Sequence, residues 1–154
     1  MSDADKAYAL AQEKIAEFAR TGADWLDVGG GEFRALDRLP PEIGSLKGVE
    51  TLHLYNTRIT DLTPLTDLTG LKTLVLENSR ISDLSPLTCM TGLKDLYLDN
   101  NPITDLSAVA KMTGLQSLTL KNNRITDLAP LTCMTGLKDL YLDNNPITDL
   151  SAVA

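Results

Sequence analysis

Residues 93–114 read LKDLYLDNNPITDLSAVAKMTG, with apolar residues at Leu93, Leu96, Leu98, Ile103, Leu106, Val109 and Met112. Counted from Leu93, these are positions 1, 4, 6, 11, 14, 17 and 20. Alternation across positions 3 to 7 is the period-two signature of a strand with one face in a core. The strand is short, about four residues, and an N-N-P turn ends it. The same pattern starts again at Val49, Leu71, Leu115 and Leu137, so five segments follow one another at a 22-residue period. No single unit of that size can bury its own leucines. Stacking makes them one continuous core.

Two polar columns support the stack. Position 9 runs Thr57, Ser79, Asn101, Asn123 and Asn145. An Asn there can bond backbone groups of neighbouring turns, as a buried amide must. The hydroxyls of Thr57 and Ser79 satisfy fewer partners, which predicts a weaker ladder in the first two full repeats. Position 13 is Asp in every repeat (Asp61, Asp83, Asp105, Asp127, Asp149), which reads as the cap of a short convex turn.

The pattern L-x-x-L-x-L-x-x-N-x-I-x-x-L-x-x-L resembles the leucine-rich repeat family, and the 22-residue period is similar to the bacterial class that includes the internalins. The resemblance covers residues 23–154. It implies an α/β fold, a right-handed solenoid with a parallel sheet on the concave face and turns or 3₁₀ segments on the convex face.

Upstream, residues 23–48 form a degenerate 26-residue first repeat, with Ala23, Leu26, Val28, Phe33, Leu36, Leu39, Ile43 and Leu46 in its apolar places. Residues 3–21 read as one helix, with Ser2 or Asp3 as cap, a stripe of Tyr8, Ala11, Ile15 and Phe18, and Gly22 as the stop. The expected organisation is an N-terminal capping helix (1–22), the degenerate repeat (23–48) and five repeats (49–154), the last incomplete and uncapped. At that end Leu137, Leu140, Leu142, Ile147, Leu150 and Val153 would line an open face of the core. Such a patch, on the order of several hundred Å², is large enough to favour association.

The formal charge of −7 is spread along the chain and disfavours nucleic acid and anionic membrane surfaces as partners. No apolar run is long enough to span a bilayer. The polar start MSDADKAYAL is the reverse of a secretory leader, and no N-x-[ST] sequon occurs, so a cytoplasmic setting is expected.

Catalytic and metal chemistry find no support. The triple glycine Gly29-Gly30-Gly31 lacks both G-x-G-x-x-G and a following GK[ST], and reads as a degenerate turn at positions 7–9. DNNPITD (99–105) echoes a calcium loop, but Ile103 belongs to the core and no Gly or closing Glu follows. His53 is the only histidine, which excludes a multi-histidine site and leaves a Ser-His-Asp arrangement unsupported. No enzyme activity and no cofactor are expected.

The concave positions 3, 5 and 7 are more informative. They carry Trp25, His53, Tyr55, Val75, Asp95, Tyr97, Asp99, Lys121, Asp139, Tyr141 and Asp143. Aromatics with polar neighbours on a rigid face are what binding surfaces use. A protein partner of this face should be basic. The bland alternative is a solvated face with Lys121 between Asp95/Asp99 and Asp139/Asp143, about 5 Å per strand. Cys89 and Cys133 both fall at position 19, two repeat steps apart and therefore at least ~9–10 Å, too far for a disulfide. They are free thiols or links between chains.

Residues 87–110 return letter for letter at 131–154, surface positions included. Residues 71–86 and 115–130 share core letters but differ at Val75/Thr119, Glu77/Lys121 and Ser79/Asn123. Packing cannot enforce identity at surface positions, so very recent duplication or deliberate design in a two-repeat unit is implied. The preferred expectation is a non-catalytic interaction scaffold, engineered or truncated, that forms a homodimer by packing its uncapped ends. The alternative is a native bacterial recognition module that binds a protein on its concave face.

Overall fold

In the computed structural model, which describes all of residues 1–154, one helix is followed by six short parallel strands in a single sheet. Helix α1 spans Asp3–Thr21. Ser2 caps it: the Ser2 hydroxyl accepts the Asp5 N–H at 3.1 Å, and the Asp5 carboxylate accepts the Ser2 N–H at 3.2 Å. Gly22 ends the helix in the left-handed region at φ 65°. Ala7, Ala11, Ile15 and Phe18 form the buried stripe, while Tyr8 is half-buried under the Arg38 guanidinium, 4.5 Å from its ring centre. Arg38 also pairs with Asp5 at 3.2 Å, so one side chain of the first repeat ties down the cap.

The strands are β1 (Trp25–Asp27), β2 (Thr51–His53), β3 (Thr73–Val75), β4 (Asp95–Tyr97), β5 (Ser117–Thr119) and β6 (Asp139–Tyr141). Each has three residues rather than four, because regular pairing covers positions 3 to 5 and the chain then turns. They pair in chain order with equivalent positions opposite one another, as Leu74↔Leu96 and Leu96↔Leu118. Parallel crossovers of this kind are right-handed. Each return path carries a short 3₁₀ segment on the convex side, such as Thr63–Leu65 and Ser85–Leu87.

The turn after each strand depends on one backbone state. Asn56, Asn78, Asn100, Asn122 and Asn144, all at position 8, have φ between 51° and 59°. Asn tolerates this left-handed region better than most residues. Gly30 holds the same place in the degenerate repeat at φ 60°, and its N–H bonds Tyr55 O at 2.7 Å. The triple glycine is therefore a repeat turn. A Cβ on Gly29 would lie 2.7 Å from the Tyr55 ring, so glycine there lets the aromatic ring lie against the backbone.

Position 9 behaves as its chemistry requires. Asn101 Nδ2 donates to Leu76 O (2.9 Å), Leu98 O (3.0 Å) and Asp99 O (3.3 Å), while its Oδ1 accepts the Ile81 N–H at 3.0 Å. Asn123 and Asn145 repeat the arrangement. Thr57 instead bonds Leu54 O at 3.1 Å and meets the Ser79 hydroxyl at 3.1 Å. The ladder is thinner where the amides are missing. On the convex side every position-13 carboxylate accepts the N–H two residues ahead at 2.8 Å, which starts the next 3₁₀ turn.

Forty buried residues form one core from α1 through the fifth full turn. Ala23 is exposed, contrary to its expected apolar place, because it directly follows the helix stop and has no preceding turn to cover it. No helix is long and apolar enough to cross a membrane.

Candidate functional site

The concave face divides into two halves. At its N-terminal half Trp25 on β1 lies diagonally across from His53 on β2, and Tyr55 follows two residues after His53 on the same face. Trp25 meets His53 edge-on at 5.8 Å between ring centres, and His53 meets Tyr55 at 6.2 Å. Trp25 remains 53% exposed, a large apolar side chain left out of the core. These rings form a continuous row supported from below by Leu52 and Leu54, both fully buried.

The C-terminal half is acidic. Asp95, Asp99, Asp139 and Asp143 flank Tyr97 and Tyr141 on β4, β6 and the turns after them. The sequence expectation placed Lys121 between the two acidic pairs, and the structure resolves its partners differently. Its Nζ lies 3.7 Å from Asp143 Oδ2 and 4.8 Å from the centre of the Tyr141 ring. Asp99 Oδ1 accepts the Lys121 backbone N–H at 2.8 Å, and Asp95 accepts from the Thr73 hydroxyl at 3.2 Å. Tyr97 and Asp99 offer the same ring and carboxylate on the preceding turn, but there the carboxylate is engaged by the Lys121 backbone N–H. Burial first, and then the charge of Asp99, pushes the Glu77 carboxyl above its ordinary range. Val75 sits half-buried between His53 and Tyr97 in the same column.

Thr119 lies opposite both Tyr97 and Tyr141 in the register, and it is only 7% exposed. Its hydroxyl is the one buried side-chain polar atom without a hydrogen-bond partner. The letters of a single repeat do not announce this, because position 5 is half-exposed in the preceding turns. Two tyrosines one strand away on either side create the burial.

The open end of the core is graded. Leu137, Leu140, Leu142 and Ile147 are half-buried by the turn beneath them, whereas Leu150 is 60% and Val153 40% exposed. Their counterparts in the first copy, from Leu93 to Val109, are at most 1% exposed. Cys89 and Cys133 are both exposed and unpaired. No group of three or more His, Cys, Asp or Glu side chains is arranged to hold a metal ion.

The family model for leucine-rich repeats (two copies) matches residues 47–89, 69–111 and 113–154, well over half of the chain. The chain belongs to the leucine-rich repeat family. The solved structure of internalin C2 from Listeria monocytogenes is similar at 37% identity and a TM-score of 0.72, over 74% of this chain and 50% of that one. A leucine-rich-repeat protein of Leptospira interrogans aligns at 26% identity and a TM-score of 0.65, over 74% of this chain and 37% of that one. An internalin (inlF) from Listeria monocytogenes shares the fold at 23% identity and a TM-score of 0.52, over 99% of this chain and 68% of that one. No curated protein matches the chain. The leucine-rich-repeat chain thus spans half the length of internalin C2. Family and neighbours together establish the leucine-rich-repeat fold of the chain.

Proposed function

We propose that this leucine-rich-repeat module is non-catalytic and receives a basic protein segment on its concave face. The observation that carries this reading is the edge-to-face row Trp25–His53–Tyr55, with Trp25 half in solvent on a rigid sheet, continuing into the tyrosines and carboxylates around Tyr97 and Tyr141. Aromatic side chains with few rotatable bonds supply contact area at low entropic cost, and hot spots concentrate on them. The test is fluorescence anisotropy with labelled lysine- and arginine-rich peptides against the wild type, Trp25→Ala and the double variant Tyr97→Ala/Tyr141→Ala. Loss of affinity by about tenfold or more is expected for each variant, since truncating a hot-spot residue costs about 2 kcal/mol or more. Unchanged binding in both variants would sink the concave-face reading.

A second reading is favoured by Leu150 and Val153, which are 60% and 40% exposed beside half-buried leucines. In it two copies pack their open ends into a homodimer. Light scattering at tens of micromolar, with and without reductant, separates it from links through Cys89 and Cys133. A monomer under both conditions rules out end packing. The letter-for-letter return of 87–110 at 131–154 supports deliberate design of the scaffold in a two-repeat unit. A natural gene encoding the two copies with divergent codons would refute that origin. Free, exposed thiols suit the reducing cytoplasm proposed for the chain.

A further inference from the structure

Three of the chain's arginines gather on the edge of the solenoid where the strands end. Arg58 and Arg80 occupy position 10 of adjacent repeats. The Arg58 N–H bonds Leu36 O at 2.8 Å and the Arg80 N–H bonds Ile59 O at 3.2 Å. Their backbones are thereby held one turn apart, about 5 Å. Arg34 joins them from the degenerate repeat. All three are exposed, none takes part in an ion pair, and together with Asn56, Thr57, Asn78 and Ser79 they line a cleft of about 390 Å³ that contains no apolar side chain.

The same two turns depart from the repeat in further ways. At position 9 the short hydroxyls of Thr57 and Ser79 replace the amides that stitch the later turns together. At position 8 Asn122 donates to Asn100 and Asn144 to Asn122, each at 2.7 Å. Asn56 and Asn78, in contrast, make no side-chain hydrogen bond within the chain. The cleft therefore presents guanidinium and amide donors that folding leaves unspent, on a protein whose net charge is −7. Arg124 provides the contrast. It stands at the same repeat position, but Pro102 and Pro146 replace its arginine neighbours and the asparagines beside it are engaged with one another.

We propose that this cleft is a second recognition site, one that takes the carboxylates of an extended acidic segment of a protein partner. Guanidinium forks bind carboxylates bidentately. A row of arginines at about 5 Å steps suits side chains that leave one face of an extended chain every ~6.6 Å, the difference being within the reach of flexible arginine stems. A lone phosphate would use only part of the row. This assignment is independent of the concave-face reading, whose partner has the opposite charge.

The test uses a labelled octapeptide of alternating Glu and Ser, with its Gln–Ser analogue as control, in anisotropy titrations at low salt. The Glu–Ser peptide should bind and the analogue should not. Arg58→Gln/Arg80→Gln should weaken binding by at least about tenfold, while Arg58→Lys/Arg80→Lys, which keeps the charge but loses the fork, should fall between. Arg124→Gln should remain within about twofold of wild type, because one distant charge is largely screened. The proposal is overturned if the wild type ignores the peptide at millimolar concentration. It is equally overturned if Arg124→Gln loses as much as the double variant, or if inorganic phosphate displaces the peptide at equal concentration.

Discussion

Leu106 and Leu150 occupy the same position in two stretches of identical sequence, yet Leu106 is 1% exposed and Leu150 is 60% exposed. Replacing each by alanine removes the same atoms from the same local letters, so only the environment differs. For a fully enclosed leucine the loss of transfer energy plus the cavity left behind amounts to about 3–5 kcal/mol. Leu150 keeps about four-tenths of its surface covered, and full burial of a leucine contributes about 1.5–3 kcal/mol, so its truncation should cost roughly 0.6–1.2 kcal/mol. No cavity term is added, because solvent already reaches the site. The last turn of a solenoid can also open while the rest stays folded, which further limits the cost to global stability.

Urea denaturation near one micromolar protein should therefore show a midpoint that falls much further for Leu106→Ala than for Leu150→Ala, with a gap of about 2–4 kcal/mol. Repeating the titration at several tens of micromolar adds a second reading. If open ends pack together, the cost of Leu150→Ala should grow with concentration, since dimerisation stabilises the folded state by mass action. Equal costs at both sites and at every concentration would refute the account. They would mean that the repeat position alone sets the energy, with the neighbouring turn contributing nothing.

Asn101→Ala removes four hydrogen bonds and strands the Ile81 N–H and Leu76 O in the core, so it should destabilise by about 2–4 kcal/mol in thermal or urea unfolding. Asn145→Ala, in the half-buried last turn, should cost visibly less. Thr119→Val replaces an unpartnered hydroxyl by a methyl between Tyr97 and Tyr141 and should stabilise by about 0.5–2 kcal/mol, read as a raised melting temperature. A fall in stability there would show that the hydroxyl does have a partner in solution. The convex carboxylates set the acid limb. Asp105 and Asp149 are held below the ordinary range first by the Ser107 and Ser151 N–H groups, and Asp61 and Asp83 by the hydroxyls of Thr63 and Ser85 followed by their N–H groups. Folded pKa values below the unfolded ones contribute stability that is complete above the unfolded value near 3.8 and lost as pH falls through the folded values. Asp105→Asn should thus flatten the loss of stability below about pH 4 while leaving the slope at neutral pH unchanged, as monitored by circular dichroism.

Much of this structure is legible along one line of letters, and the reason is the period. A core position recurs every 22 residues, so the leucine columns and the turn-starting carboxylates can each be read five times over, and the amides of Asn101, Asn123 and Asn145 three times. What escapes such reading arises between repeats. Thr119 becomes buried because residues 22 places before and after it are tyrosines, a property of three turns together. Lys121 pairs with Asp143 and not with the equivalent Asp99, whose carboxylate already accepts the Lys121 backbone N–H. The arginine cleft needs a register that crosses from a 26-residue to a 22-residue repeat, which composition conceals. Ala23 shows the converse error, since a letter in a core position is buried only when a turn exists to cover it.

These failures have one physical source, and it also explains where recognition can reside. In a solenoid each turn touches only its neighbours, so the core positions must agree along the whole stack while positions 3, 5, 7 and 10 are free to vary from turn to turn. Apart from Thr119 between its two tyrosines, variation at those positions adds little burial, because the strand and turn geometry is already fixed by the leucines and by the left-handed residue at position 8. Whatever they carry is thus expressed as surface chemistry. In this chain the early turns place aromatic rings on the concave face and arginines on the adjoining edge, and the later turns place carboxylates around Tyr97 and Tyr141. A partner that lies along the stack therefore meets a sequence of chemistries that packing tolerates but does not require. It follows that exchanging surface letters between turns, while keeping the core columns and the Tyr97–Thr119–Tyr141 set, should move binding without moving stability.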